Sequence, residues 1–220
     1  MSALVFVDTN VLKFASTELQ RFFPRQVSLQ WGPTTVATTV HDPVLINPNE
    51  GIASADLRKE ADLLPQIAAC GKSGTLKFVQ TVEALYEEWG LPDLDTDTGR
   101  FYGAPLHLLR DVPFKYSRIM GGSGIDGRQE QLRFLASIND KRFIELQRAC
   151  GAFQGHIKPP NHNQLLDAFH IWCAEVAGCS YFLTLDFKLM RVLSKSKAKT
   201  QLWLVRPSEL LFEVQRNGEQ

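Results

Sequence analysis

A chain of 220 residues with 44% hydrophobic side chains is long enough to bury one large core, or a core with a sizeable insertion. Lys and Arg together number 24, as do Asp and Glu, so the formal charge is zero. That excludes the basic excess of a strong non-specific nucleic-acid binder and confines any such surface to a local patch.

No apolar run approaches the roughly 18 residues that span a bilayer. The first residues lack the basic start and cleavage site of a signal peptide, so the expectation is a soluble cytoplasmic protein. Cys70, Cys150, Cys173 and Cys179 show no Cys-x-x-Cys spacing and read as reduced core residues. A zinc site drawn from Cys173, Cys179, His156, His162 and His170 would match no usual zinc spacing.

In chain order, the run from Leu4 to Val7 reads as a strand buried on both faces, ending at Asp8 with Thr9 and Asn10 suited to a helix start. Val11 to about Phe23 is predicted helical, with Pro24 near its end. The Thr-, Val- and Pro-rich text from Gln26 to Asn49 carries turn signals and is either irregular or holds a short strand. Ala53 to Cys70 has helical periodicity and is predicted to end at Gly71 as its cap. Thr75 to Gln80 is the second strand and Thr81 to Trp89 the helix after it.

Leu91 to Arg128 reads as loop or insertion, with an acidic stretch at Asp93, Asp95 and Asp97 and a Gly-rich stretch from Gly121 to Gly127. The first lacks the glycine and glutamate of a calcium loop, and the second the Lys-Ser/Thr end of a phosphate loop. Gln129 to Ala152 is a helix or helix pair, and Asn163 to Ala177 a helix closed by Gly178. Tyr181 to Asp186 is a strand, Phe187 to Leu193 a helix, Gln201 to Arg206 a last strand, and Pro207 opens a terminal helix. Strands alternating with helices predict an α/β three-layer sandwich with a central, mainly parallel sheet and helical or loop insertions. One domain is expected over 1–220, with insertions at about 24–72 and 91–160.

In such sheets ligands sit beyond the carboxyl ends of the strands, where Asp8 and Asp186 would both emerge. Taken singly, Asp8 reads equally as a helix cap and Asp186 as a turn residue. Asp167 is set among Leu165, Leu166, Ala168, Phe169, Ile171 and Trp172, where an unpaired charge would cost several kcal/mol and must meet a partner or a cation. The helix after the second strand adds Glu83, Glu87 and Glu88. Converging carboxylates repel and take up protons unless a hard divalent cation joins them, and such a site suits phosphodiester hydrolysis. His170 shares the helical face of Asp167 and reads as a satisfied core group or a neighbour of the site.

Val5 to Leu12, Leu165 to Ile171 and Tyr181 to Asp186, taken in that order, resemble the PIN-domain nuclease family. So does the closing Leu204 to Leu211; the likeness covers about 4–14, 76–90 and 163–211. The resemblance implies a PIN-like metal-dependent endoribonuclease, with acids around one or two Mg²⁺ or Mn²⁺ ions. Asp8, Asp167 and Asp186 carry over as catalytic, metal-holding residues. Glu87 fits best as the fourth catalytic acid and Glu83 is its rival. Thr9, Asn10 and Thr184 resemble the polar residues that position acids, water or substrate. The partners implied are an RNA substrate and, as for the toxins of the family, a small antitoxin-type protein, with a homodimer left open and no membrane. The competing reading is a non-catalytic RNA-binding or assembly module on the same fold. A haloacid-dehalogenase-type phosphatase needs a second Asp two residues after the first, where this chain has Asn10.

Overall fold

The computed structural model describes residues 2–16, 19–47, 49–89, 94–95, 100–113, 127–152 and 161–218. The readings at Asp93, Asp97, Gly121 and His156 lie outside those residues. The central layer is a five-stranded sheet, and every pairing in it is parallel. Its strands are β1 (Ala3–Val7), β4 (Leu76–Gln80), β6 (Leu106–Leu108), β7 (Tyr181–Leu183) and β8 (Trp203–Val205), in the order β6-β4-β1-β7-β8.

Side chains alternate across this sheet, which explains the uninterrupted apolar runs: both faces are covered. Phe6, Val79 and Phe182 point into one buried cluster. It is completed by α5 (Gly127–Ser137), α6 (Lys141–Ala149) and α7 (His162–Val176). Val5, Val7, Phe78, Tyr181 and Leu183 point into the other. That side is covered by α2 (Ala55–Ala61), α3 (Leu64–Lys72) and α9 (Pro207–Gly218). The α/β three-layer sandwich follows. The rings of Phe6 and Phe182 stack at 4.9 Å across β1 and β7, fixing the middle of the sheet from within.

The remaining helices bring side chains to the sheet's carboxyl edge. These are α1 (Thr9–Leu12) directly after β1, α4 (Val82–Trp89) after β4, and α8 (Phe187–Ser194) after β7. Among the described residues no helix is long and apolar enough to cross a membrane.

Three expectations are corrected. The helix predicted from Val11 to Phe23 stops at Leu12. In place of its second half, and across the stretch read as irregular or holding a short strand, stand two long antiparallel strands, β2 (Leu19–Trp31) and β3 (Thr34–Ile46). A third strand, β5 (Leu94–Asp95), adds two residues to their sheet. Gly32, at φ 60°, makes the two-residue turn between β2 and β3, a conformation that matches the twist of a hairpin.

Gly71 is not a cap: α3 runs through it to Lys72, and the left-handed residue is Gly74 at φ 79°. The helix predicted over 53–70 is two helices, α3 starting afresh with Pro65 in its first turn. The 91–160 stretch carries the edge strand β6 and, as expected of Gln129 to Ala152, two helices of one layer. A tight turn at Arg100–Gly103, with Phe101 and Tyr102 in the left-handed region at φ 53° and 52°, places Phe101 edge-on to Phe78 in the opposite core.

Candidate active site at the sheet edge

The register of β1 against β7 decides what meets at the edge. Val7 pairs with Leu183, so the next residues, Asp8 and Thr184, emerge side by side. The Asp8 amide donates to the Leu183 carbonyl at 3.0 Å, extending the ladder one step. Asp8 occupies the cap position of α1 by its backbone, but its side chain makes no cap bond. Instead its Oδ2 accepts from Thr184 Oγ1 at 2.7 Å and from Asn10 Nδ2 at 2.7 Å. Asn10 Oδ1 accepts in turn from the Leu185 amide at 2.9 Å, and Thr184 Oγ1 accepts from the Asp186 amide at 2.9 Å. Asp8, Asn10 and Thr184 thus form one network joining two strand ends.

Asp186 does cap α8, its Oδ1 accepting from the Leu189 amide at 2.8 Å. The cap occupies one oxygen and fixes the carboxyl at the lip of a cleft of about 190 Å³. Asp167, from α7, lines the same cleft, with Asn161, Asn163, Gln164 and Lys188. Glu87, half-buried on α4, accepts from Thr9 Oγ1 at 2.8 Å through Oε2. Thr81 caps α4 through the Ala84 amide at 3.1 Å, which sets the turn from which Glu87 projects.

The two candidate glutamates separate here. Glu83 is fully buried, and its Oε2 accepts from Gln131 Nε2 of α5 at 2.6 Å; the Gln131 carbonyl oxygen lies 2.9 Å from His162 Nε2. Glu87 is held instead by Thr9 of α1, and its charge helps to raise Asp8 and Asp167.

The electrostatics bind the four acids together. Burial, then the charges of Asp8, Asp186 and Glu87, pushes the Asp167 carboxyl up to about 8. Burial also raises Asp8; the Thr184 hydrogen bond opposes it, and Glu87 and Asp186 add to it. Glu87 is raised by burial, against its Thr9 bond and the charge of Lys13.

His170 sits beside them, 1% exposed, its Nε2 without a hydrogen-bond partner and 4.0 Å from Glu87 Oε2. Burial holds its imidazole below the ordinary range, so it is neutral near pH 7. The i, i+3 spacing from Asp167 was the signal for this placement. Gln80, buried at the end of β4 with Oε1 unpartnered, and Lys188 had no such signal.

The oxygen-rich, acid-rich donor set has the chemistry of a hard divalent cation site. As the side chains stand, no three His, Cys, Asp or Glu among the described residues form a group that could hold an ion. Cys150, Cys173 and Cys179 are buried free thiols of the core; burial pushes all three up, Cys179 to about 12. No family model, curated protein or solved structure matches this chain.

Proposed function

We propose that the chain is a PIN-like, metal-dependent endoribonuclease that hydrolyses RNA phosphodiester bonds. One observation carries the reading. Four acids from four separate stretches, Asp8, Glu87, Asp167 and Asp186, are electrostatically coupled at the carboxyl edge of a parallel sheet. Without a countercharge Asp8, Glu87 and Asp167 keep their protons to higher pH than separate, solvated acids would. So costly an arrangement, next to a polar cleft, is what a cation-dependent site requires before it is loaded.

Asp8, Asp167 and Asp186 would hold Mg²⁺ or Mn²⁺, which polarises phosphate and acidifies bound water. Thr184 and Asn10 keep the Asp8 carboxylate in one orientation by binding the same oxygen. Thr9 does the same for Glu87, a proton acceptor at the margin of the cluster. Lys188 supplies a positive group to the cleft for a phosphate oxygen.

The test is cleavage of a mixed RNA pool in Mg²⁺ or Mn²⁺ with an EDTA control. Asp8→Asn and Asp186→Asn are expected to abolish cleavage while circular dichroism is unchanged, and full activity in those variants removes the proposal. The lack of a preformed three-residue ion group favours a second reading, a non-catalytic RNA-binding or assembly module. Calorimetric titration with Mn²⁺ separates the two: the module shows no metal affinity, the nuclease does.

A further inference from the structure

The cleft that Asp167 and Asp186 share also holds three side-chain amides, which the acids do not account for. Asn161, Gln164 and Asp167 stand three residues apart, so one stripe of α7 runs from its cap to the acid. Gln164 is separated from Asp167 by about 4.5 Å of helical rise. Asn161 Oδ1 accepts from the Gln164 backbone amide at 3.3 Å, and Asn163 Oδ1 accepts from Arg128 Nη2 at 3.2 Å. Both side chains are thereby oriented, while their Nδ2 groups donate to no partner among the described residues. Gln164 goes further: its Oε1 is buried and accepts no hydrogen bond. Its amide lies against Gly151, which at φ 78° leaves open the place where a Cβ would stand 3.3 Å from Nε2. Buried carbonyl oxygens are normally paired, so an orphaned one in the lining of a polar cleft marks a place for a ligand.

We infer that this cleft reads one base of the RNA, taking an adenine next to the scissile phosphate against Gln164. The inference rests on the ribonuclease reading for its substrate. The chemistry of the lining narrows the ligand. Two acids disfavour an anionic group, and an apolar one would leave three amides unpaired. A neutral group that both donates and accepts remains. An adenine edge shows an amino donor beside a ring-nitrogen acceptor, and one glutamine amide meets both atoms at once. Single-stranded RNA leaves such edges free to be read. Leu189 and Val192 of α8 give the cleft an apolar wall for the face of the base. Size agrees as well. About 190 Å³ is below the ~300–1,000 Å³ of drug-sized pockets, which is room for one base rather than two.

Chemical-shift titration of the metal-free full chain with adenosine, cytidine, guanosine and uridine tests this without any cleavage step. Nucleosides carry no phosphate for the acids to repel. Adenosine is expected to move the side-chain NH₂ resonances of Gln164 and Asn163 with a Kd of about 1 mM or tighter. The other three should bind at least tenfold more weakly. Gln164→Leu should lose about tenfold or more in adenosine affinity, and Asn163→Ala, which keeps the Asn161 cap, should lose a smaller factor. The dispersion of the same spectra reports whether each variant is folded. On RNA with Mn²⁺, wild-type cuts should fall beside adenines, and Gln164→Leu should lose that preference. Adenosine shifts at Gln164 in a protein that cuts no RNA would keep the base site and remove the nuclease reading. Cleavage blind to the base, no adenosine shift at Gln164, another nucleoside binding as tightly as adenosine, or undiminished affinity in folded Gln164→Leu overturns the inference.

Discussion

The Thr184 hydroxyl donates to Asp8 Oδ2 at 2.7 Å, joining residues 176 positions apart at the ends of adjacent strands. The same hydroxyl accepts from the Asp186 amide, so one side chain ties together the two strand-end aspartates. Thr184→Val keeps the shape and removes both roles. Asp8 then loses a donor while remaining buried, and the variant is expected to be less stable by about 1–3 kcal/mol in urea denaturation. Thr184→Ser should recover most of that. Equal midpoints for wild type and Thr184→Val would show that the bond does not hold the edge together.

The raised carboxyl of Asp167 makes stability depend on pH in a particular direction. The native protein keeps this proton up to about pH 8, whereas the unfolded chain releases it near 4. Between those values the native state binds more protons, so stability falls as pH rises and the loss is complete above the folded value. Urea midpoints of metal-free protein are expected to drop from pH 5 to 8. Asp167→Asn should flatten the drop, and Mn²⁺ should restore the midpoint at high pH in the wild type only. A wild-type profile that is level, or identical in Asp167→Asn, contradicts this.

Glu87 and Glu83 lie one helical turn apart but answer to different neighbours. Glu87→Gln relieves a carboxyl that burial disfavours and keeps the Thr9 contact. Stability should change by no more than about 0.5 kcal/mol. RNA cleavage should fall about 10²-fold or more, the range for a lost proton acceptor. Glu83→Ala is expected to do the reverse to the fold, leaving the buried Gln131 amide without its 2.6 Å acceptor at a cost of about 1–3 kcal/mol. Measuring cleavage and urea midpoints on both variants decides the assignment, and it fails if Glu87→Gln cleaves at the wild-type rate.

These contrasts mark what the sequence made readable. Asp8, Asp167 and Asp186 were legible because each closes or interrupts an apolar run where a carboxylate needs a reason. The choice between Glu87 and Glu83 was not, since it turns on Gln131, 48 positions away on another helix. The layered sandwich was legible from alternating strands and helices. The hairpin was not, although Phe23, Val27, Leu29 and Trp31 keep period two. The arm buries little of its own surface, so its composition carries no core signature, and Phe22-Phe23-Pro24 reads as the end of a helix. Leu106–Leu108 is too short for any periodicity.

Gly71 tests the packing of α3 on the sheet. Ala is ordinarily better than Gly inside a helix by about 1 kcal/mol. Here an added Cβ would lie 2.3 Å from Cε2 and 2.7 Å from Cδ2 of Phe78. That ring cannot step aside freely, because Phe101 meets it edge-on with centroids 4.7 Å apart, and both rings are buried. Overpacking should therefore outweigh propensity, making Gly71→Ala destabilising by about 1–3 kcal/mol in urea unfolding. Pairing it with Phe78→Leu, which withdraws the ring, should cost less than the sum of the two single changes. A stabilised Gly71→Ala, or strict additivity with Phe78→Leu, would mean that α3 and β4 are not in the close contact described.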